Sequence, residues 1–386
     1  MVEKCLVSWH YHLAMSGSGL ISTIGTNRTS IGQRFDPRKN SLNFLRLVFA
    51  LLVVVGHAAT LGGYSWELWL IRSPFQDIAV NGFFAISGYL ITGSALRSNT
   101  VRYLWQRILR IFPGYWVCLL VTALGFGIVG WIHGHTNLNG YFGGHNGAVQ
   151  YVIGNADLRV DHYSINGSPN PVPYRGVWNG SIWTLEFEFC CYLMVGALAL
   201  VRMLRRRLLI VALFLVSWAL EALHFALPAH FSHGDLLRFV PIFLAGALVH
   251  LYKDKLPDST VLLAAFLAFL VVGCAVSADG GNLAGPLFAY PCIWAGAHLP
   301  FERVGAKNDL SYGIYIYAFP ISQLLALWSV NRWGAVPYVI LIIAATFVFA
   351  WVSWTLVEKQ ALKVKRWSPG KGRTRSEPVP VAAMGG

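Results

Sequence analysis

Ten stretches of roughly 20 apolar residues, each nearly free of charge, run through this sequence. They lie near 42–62, 77–95, 112–132, 178–200, 208–227, 235–252, 259–277, 284–300, 310–330 and 335–357. At 1.5 Å per residue, about 20 residues is the length a helix needs to cross the ~30 Å hydrocarbon core of a bilayer. Inside lipid every backbone N–H and C=O must be satisfied within the chain, and runs of this length do so as helices. The sequence therefore reads as an all-α polytopic membrane protein with about ten transmembrane helices in one bundle.

Hydrophobic residues make up 55% of the chain and charged residues only 12%, about half the charged share of a soluble domain. That excludes a soluble enzyme and a disordered chain. The net charge of +13 would ordinarily raise nucleic acid as a partner. Here the basic residues fall between the apolar runs, where they report topology instead. With ten spans both termini share a side, and 25 of the 30 Lys and Arg residues fall on it. Arg72, Arg159, Arg175, Arg238 and Arg332 fall on the other. The positive-inside rule then places both termini in the cytoplasm. Membrane lipids are the expected surroundings, and no nucleic acid is expected.

Residues 1–40, rich in Ser, Gly and Thr, read as a mobile N-terminal segment, 41–366 as the transmembrane domain, and 367–386 as a disordered cytoplasmic tail. The longest external connection, 133–177, carries His133, His135, His145 and His162. Their spacing matches no metal site, and the six cysteines form no CxxC, so no metal is expected. A loop of this length is read as a polar lip that meets an external substrate.

Ionisable groups inside a span are costly and mark candidate sites. Arg46 stands at the cytoplasmic end of the first span, with His57 eleven residues on. Eleven residues turn about 20° past three full turns, so the two share one face, roughly 16 Å apart. The second span holds Gly82, Ser87 and Gly88 in NGFFAISGYLIT. Arg107 and Arg110, one turn apart at the cytoplasmic boundary, suit phosphate, which Arg grips bidentately. In SIWTLEFEFCCY, Glu186 and Glu188 point about 200° apart, so only one can face a given site. Glu221 and His224 are one turn apart and read as a simple pair. Ser311 and Tyr312 open the ninth span, and Glu358-Lys359 closes the last.

Together these segments resemble the acyltransferase 3 family of bacterial membrane O-acyltransferases, in order over about residues 41–366. The resemblance rests on Arg-x10-His (Arg46, His57) and FFxxSG(F/Y) (Phe83, Phe84, Ser87, Gly88, Tyr89). It also rests on RxxRIxPxYW (Arg107, Arg110, Ile111, Pro113, Tyr115, Trp116), WTLxxExxxY (Trp183, Glu188, Tyr192), LSYxxY (Ser311, Tyr312, Tyr315) and the closing Glu-Lys. Many relatives carry a His where Ala318 stands, which removes a second catalytic His from consideration. Gln360 replaces their usual proline.

The resemblance implies transfer of an acyl group, most often acetyl from cytoplasmic acetyl-CoA, to a hydroxyl of a polysaccharide or lipid-linked oligosaccharide. The enzyme would sit in the bacterial inner membrane, with polysaccharide-assembly proteins as partners. Arg46, Arg107 and Arg110 would hold the donor's nucleotide. His57 would be general base or acyl relay, Glu188 would orient the ring or balance its charge, and Ser87 or Tyr312 would donate to the oxyanion. The alternatives are a small-molecule acceptor such as a macrolide, and a transporter or flippase of lipid-linked sugars.

Overall fold

The computed structural model describes residues 29–65, 69–70, 73–227, 234–276 and 283–366. The tail from 367 and the N-terminal segment through residue 28 lie outside the described residues. The two extended pieces, β1 (Trp69–Leu70) and β2 (Ser73–Pro74), form one short antiparallel ladder. The helices are α1 (Ile31–Arg34), α2 (Leu42–Gly62), α3 (Phe75–Arg97), α4 (Thr100–Ile132), α5 (Ala148–Gly154), α6 (Thr184–Leu200), α7 (Arg207–Ala226), α8 (Gly234–Tyr252), α9 (Thr260–Val276), α10 (Ala289–His298), α11 (Ser311–Leu327) and α12 (Ala335–Lys363).

Each apolar run of the sequence falls on one of these helices, α1 and α5 lying outside the runs. Five of them, α2, α3, α4, α7 and α12, are by themselves long and apolar enough to cross a bilayer. The others are shorter: α6, α9 and α11 have 17 residues and α10 has 10. A 17-residue helix rises only about 25 Å, so the apolar runs that encode them extend into turns and 3-10 segments. The outward faces are unfit for water. Leu208, Val336, Leu356 and Phe269 are 81%, 69%, 67% and 66% exposed, whereas soluble monomers rarely show broad contiguous apolar patches. The chain is a membrane protein.

The centre of the bundle is buried but carries polar residues. Residues Ser311 to Gln323 of α11 are all buried, and most of α3 is too. α2 packs on both, with α12 behind α11 and α8 against α3. The α3–α8 crossing depends on two glycines. A Cβ on Gly88 would stand 2.0 Å from the Phe243 carbonyl oxygen, and one on Gly246 would stand 2.1 Å from that of Ala85. Backbones can approach this closely only through small residues. Gly246→Val is therefore expected to abolish accumulation of folded protein, checked by the monodisperse peak in size-exclusion chromatography of detergent extracts.

Two π-turns interrupt otherwise regular helices, Thr122–Phe126 in α4 and Trp354–Glu358 in α12. The second turns Glu358 inward, where its Cγ lies 3.2 Å from a Cβ built on Gly114. Before α2, α1 is closed by a capping box between Ser30 and Gln33. Ile31 is fully buried and its N–H donates to the Leu256 carbonyl at 2.9 Å. Within the 133–177 connection, the Asn155 side chain binds the backbone of Asp161 and His162. Tyr115 and Trp116 of α4 donate to the carbonyls of Asn155 and Ala156. The long loop is thus folded down onto the bundle.

Candidate active site

Five helices bring most of the candidate residues to one half of the bundle, α3 among them with Ser87. α2 carries Arg46, α4 carries Arg107 and Arg110, α6 carries Glu188, and the start of α11 carries Ser311 and Tyr312. Two clefts meet among them. One, with a cavity volume of about 30 Å³, is lined by Arg46, Phe83, Thr184, Glu188, Ser311, Tyr312 and Tyr315. The other, about 250 Å³, is lined by Arg46, Ser87, Arg107, Arg110, Tyr192 and Lys365. Arg46 belongs to both walls, and the clefts are further joined by a hydrogen bond. Ser87 Oγ, in the wall of one, donates to Glu188 Oε1, in the wall of the other, at 2.8 Å. The Tyr192 hydroxyl donates to the same oxygen.

The arginines are not equivalent. Arg46 Nη1 and Arg110 Nη2 both bind Asp309 Oδ2, at 2.8 and 2.5 Å. Asp309 Oδ1 accepts from the Ser311 hydroxyl at 2.6 Å and from its backbone N–H. Burial alone would raise the Asp309 carboxyl, but the two guanidiniums and Ser311 outweigh it and hold the group below the usual carboxylate range. Arg107 has no carboxylate partner among the described residues. It lies over the rings of Tyr103 and Tyr192, and its buried Nε has no hydrogen-bond partner. Arg107 is therefore the guanidinium held in place yet still available to an anion.

Asp309 is the site residue that sequence reading passed over. Its signal was an acidic residue at the start of an apolar run, at the end that the charge pattern assigns to Arg46 and Arg110 as well. The structure also separates the two α6 carboxylates: Glu188 enters the site, and Glu186 faces Arg159 at 4.0 Å. Ser87 and Tyr312 are both present, but their hydroxyl protons are engaged. Ser87 donates to Glu188, and Tyr312 donates to the Ile111 carbonyl at 2.7 Å.

His57 stands apart. It shares α2 with Arg46 but lines neither cleft. Its Nδ1 is 3.0 Å from the Val53 carbonyl oxygen. A carbonyl can only accept, so Nδ1 carries the proton and the neutral ring presents Nε2 as its basic nitrogen. Among the described residues Nε2 makes no hydrogen bond. The ring packs edge-on to Phe319, 5.6 Å between centroids, and Phe319 in turn meets Tyr174 of the 133–177 connection at 6.2 Å. Glu188, held by Ser87 and Tyr192, makes no hydrogen bond to it. Among the described residues no three His, Cys, Asp or Glu side chains converge as metal ligands.

A family profile described as an acyltransferase domain, of the acyltransferase 3 type, matches residues 39–355. The chain is similar to an O-acetyl transferase of Shigella phage Sf6, 27% identical over 340 residues, covering 84% of this chain and 96% of that protein. It is also similar to nodulation protein 10 of Rhizobium leguminosarum bv. viciae, 29% identical over 372 residues, covering 88% and 96%. No solved structure matches significantly.

Proposed function

The chain belongs to the acyltransferase 3 family and is a membrane O-acyltransferase; on that premise we propose that it moves acetyl from cytoplasmic acetyl-CoA to a hydroxyl of a polysaccharide or lipid-linked oligosaccharide at the bacterial inner membrane. The observation that carries this reading is the position of Arg46. It lines both clefts and lies on the same helix as His57, so a donor held beside it has the imidazole roughly 16 Å further along that helix, beyond the end of either cleft. The name of the phage relative favours acetyl over longer acyl groups. The 25-to-5 partition of Lys and Arg supports ten crossings, both termini in the cytoplasm, and the 133–177 lip outside.

In this mechanism Arg107 takes the donor's phosphates, while Arg46 and Arg110, fixed by Asp309, shape the throat. The acceptor comes from the outer side. His57 Nε2 removes the proton of the acceptor hydroxyl as its oxygen attacks the thioester carbonyl. The carbon–sulfur bond then breaks, and the imidazolium returns its proton to the departing thiolate, leaving an ester and free CoA. A relay through an acyl-His differs only in the order of attack. Ser87 and Tyr312 can serve the oxyanion only by exchanging the acceptors they now hold. Glu188 fixes Ser87 and Tyr192 in the throat.

Arg107→Gln tests the donor assignment. Losing a charge-assisted contact of about 1.5–3 kcal/mol should raise the KM for acetyl-CoA roughly 10- to 100-fold, with the acceptor's KM nearly unchanged. The measurement is acetyl-CoA-dependent release of CoA thiol in membranes that contain the cell's own acceptor. An unchanged donor KM would move the nucleotide elsewhere.

A further inference from the structure

The outer half of the bundle holds a second set of charged residues that the mechanism above leaves unused. α3 begins beside His57. A Cβ on Gly56, the residue before His57, would stand 2.3 Å from Gln76 Oε1 and 3.1 Å from Gln76 Cβ, so the first turn of α3 lies directly on α2 at this level. Asp77 follows Gln76. Its carboxylate bears electrostatically on the His57 ring. Arg238 of α8 reaches across to hold it: Nη2 is 3.3 Å from Asp77 Oδ1 and donates to Asn81 Oδ1, one turn further along α3, at 3.4 Å. The guanidinium rests over the Phe239 ring at 4.8 Å, and its side chain is only 12% exposed.

We propose that Asp77, held by Arg238, is a positioning residue that balances the positive charge His57 acquires when it takes the acceptor's proton. Glu188 is turned to Ser87 and Tyr192, in the wall of a cleft that His57 does not line. The His57 Nδ1–H is already given to Val53, so the carboxylate acts through space rather than as a hydrogen-bonded orienter. Arg238 keeps Asp77 from turning outward to solvent, where it is already 37% exposed. The alternative role for Asp77, a negative charge in the first turn of a helix, requires no link to the chemistry.

This inference rests on His57 being the base, and the test separates the two. The assay is CoA thiol release from acetyl-CoA by the full-length protein in native membranes containing its acceptor. Asp77→Ala should lower kcat at least tenfold with the KM for acetyl-CoA unchanged. Sodium formate, a carboxylate small enough for the space left, should restore part of the lost rate saturably, and sodium chloride at equal ionic strength should not. Asp77→Asn keeps the size of the side chain and covers the case in which the alanine variant does not accumulate. Its kcat should fall equally, and Asp77→Glu should recover most of it. Arg238→Met should lower kcat alone but add nothing in the Asp77→Ala background. An active wild type with undiminished Asp77→Asn turnover overturns the proposal, as does a loss that neither formate nor glutamate repairs. A wild type that releases no CoA contradicts the acetyl-CoA reading, and a His57→Gln variant with wild-type turnover contradicts the base assignment whatever Asp77 does.

Discussion

Replacing Asp309 by asparagine is expected to cost about hundredfold in kcat for acyl transfer and to lower the thermal stability of the extracted protein. One carboxylate oxygen receives two guanidiniums from different helices, Arg46 of α2 and Arg110 of α4. Removing one member of a buried charged set costs about 3–5 kcal/mol, because the remaining charges stay in place unpaired. Here two like charges would also be left facing each other, and they would splay. The asparagine variant adds net positive charge to the donor cleft, which by itself would favour a polyanion. Geometry should outweigh that gain, because Arg46 is common to both cleft walls and sets the line along which the thioester is delivered. The expected pattern is a nearly constant KM for acetyl-CoA, a collapsed kcat, and a melting point several degrees lower. A variant with normal kcat and a lowered KM would show that Asp309 only moderates charge.

The second large effect falls on His57. His57→Ala should reduce acyl transfer by about 10²–10⁴-fold, the range a positioned base contributes, while the protein folds normally. The structural cost is small. The ring gives up one hydrogen bond to the Val53 carbonyl and an edge contact with Phe319. His57→Gln keeps a donor for Val53 but has no basic nitrogen, and it should be equally inactive. Accumulation in the membrane and the size-exclusion profile should match wild type for both. If His57→Gln keeps wild-type turnover, the proton goes elsewhere.

The helices were legible because bilayer thickness imposes a length that apolar runs reveal directly. Their true ends were less so. α6 and α11 are shorter than the runs that encode them, since turns packed inside the bundle are as apolar as helices. That Glu186 and Glu188 face different ways followed from helical geometry, while the choice of Glu188 came from the resemblance; the pairing of Glu221 with His224, 3.7 Å apart, followed from their spacing. What the sequence concealed were contacts between distant segments. Asp309 lies 263 positions from Arg46, and Asp77 meets Arg238 from another helix. Spacing along one helix says nothing about such pairs. The shared face of Arg46 and His57 was correct as geometry on α2, yet it could not show that the clefts stop short of the imidazole. The π-turn that buries Glu358 also has no signature in the periodicity.

The most direct measurement is compositional. Surface glycans would be isolated from cells lacking the protein, and from the same cells complemented with wild type or with His57→Ala, and compared by proton NMR and mass spectrometry. One ester-linked acetyl signal should vanish in the deletion, return with wild type, and stay absent with His57→Ala. Glycans that keep every ester in the deletion strain would contradict the account.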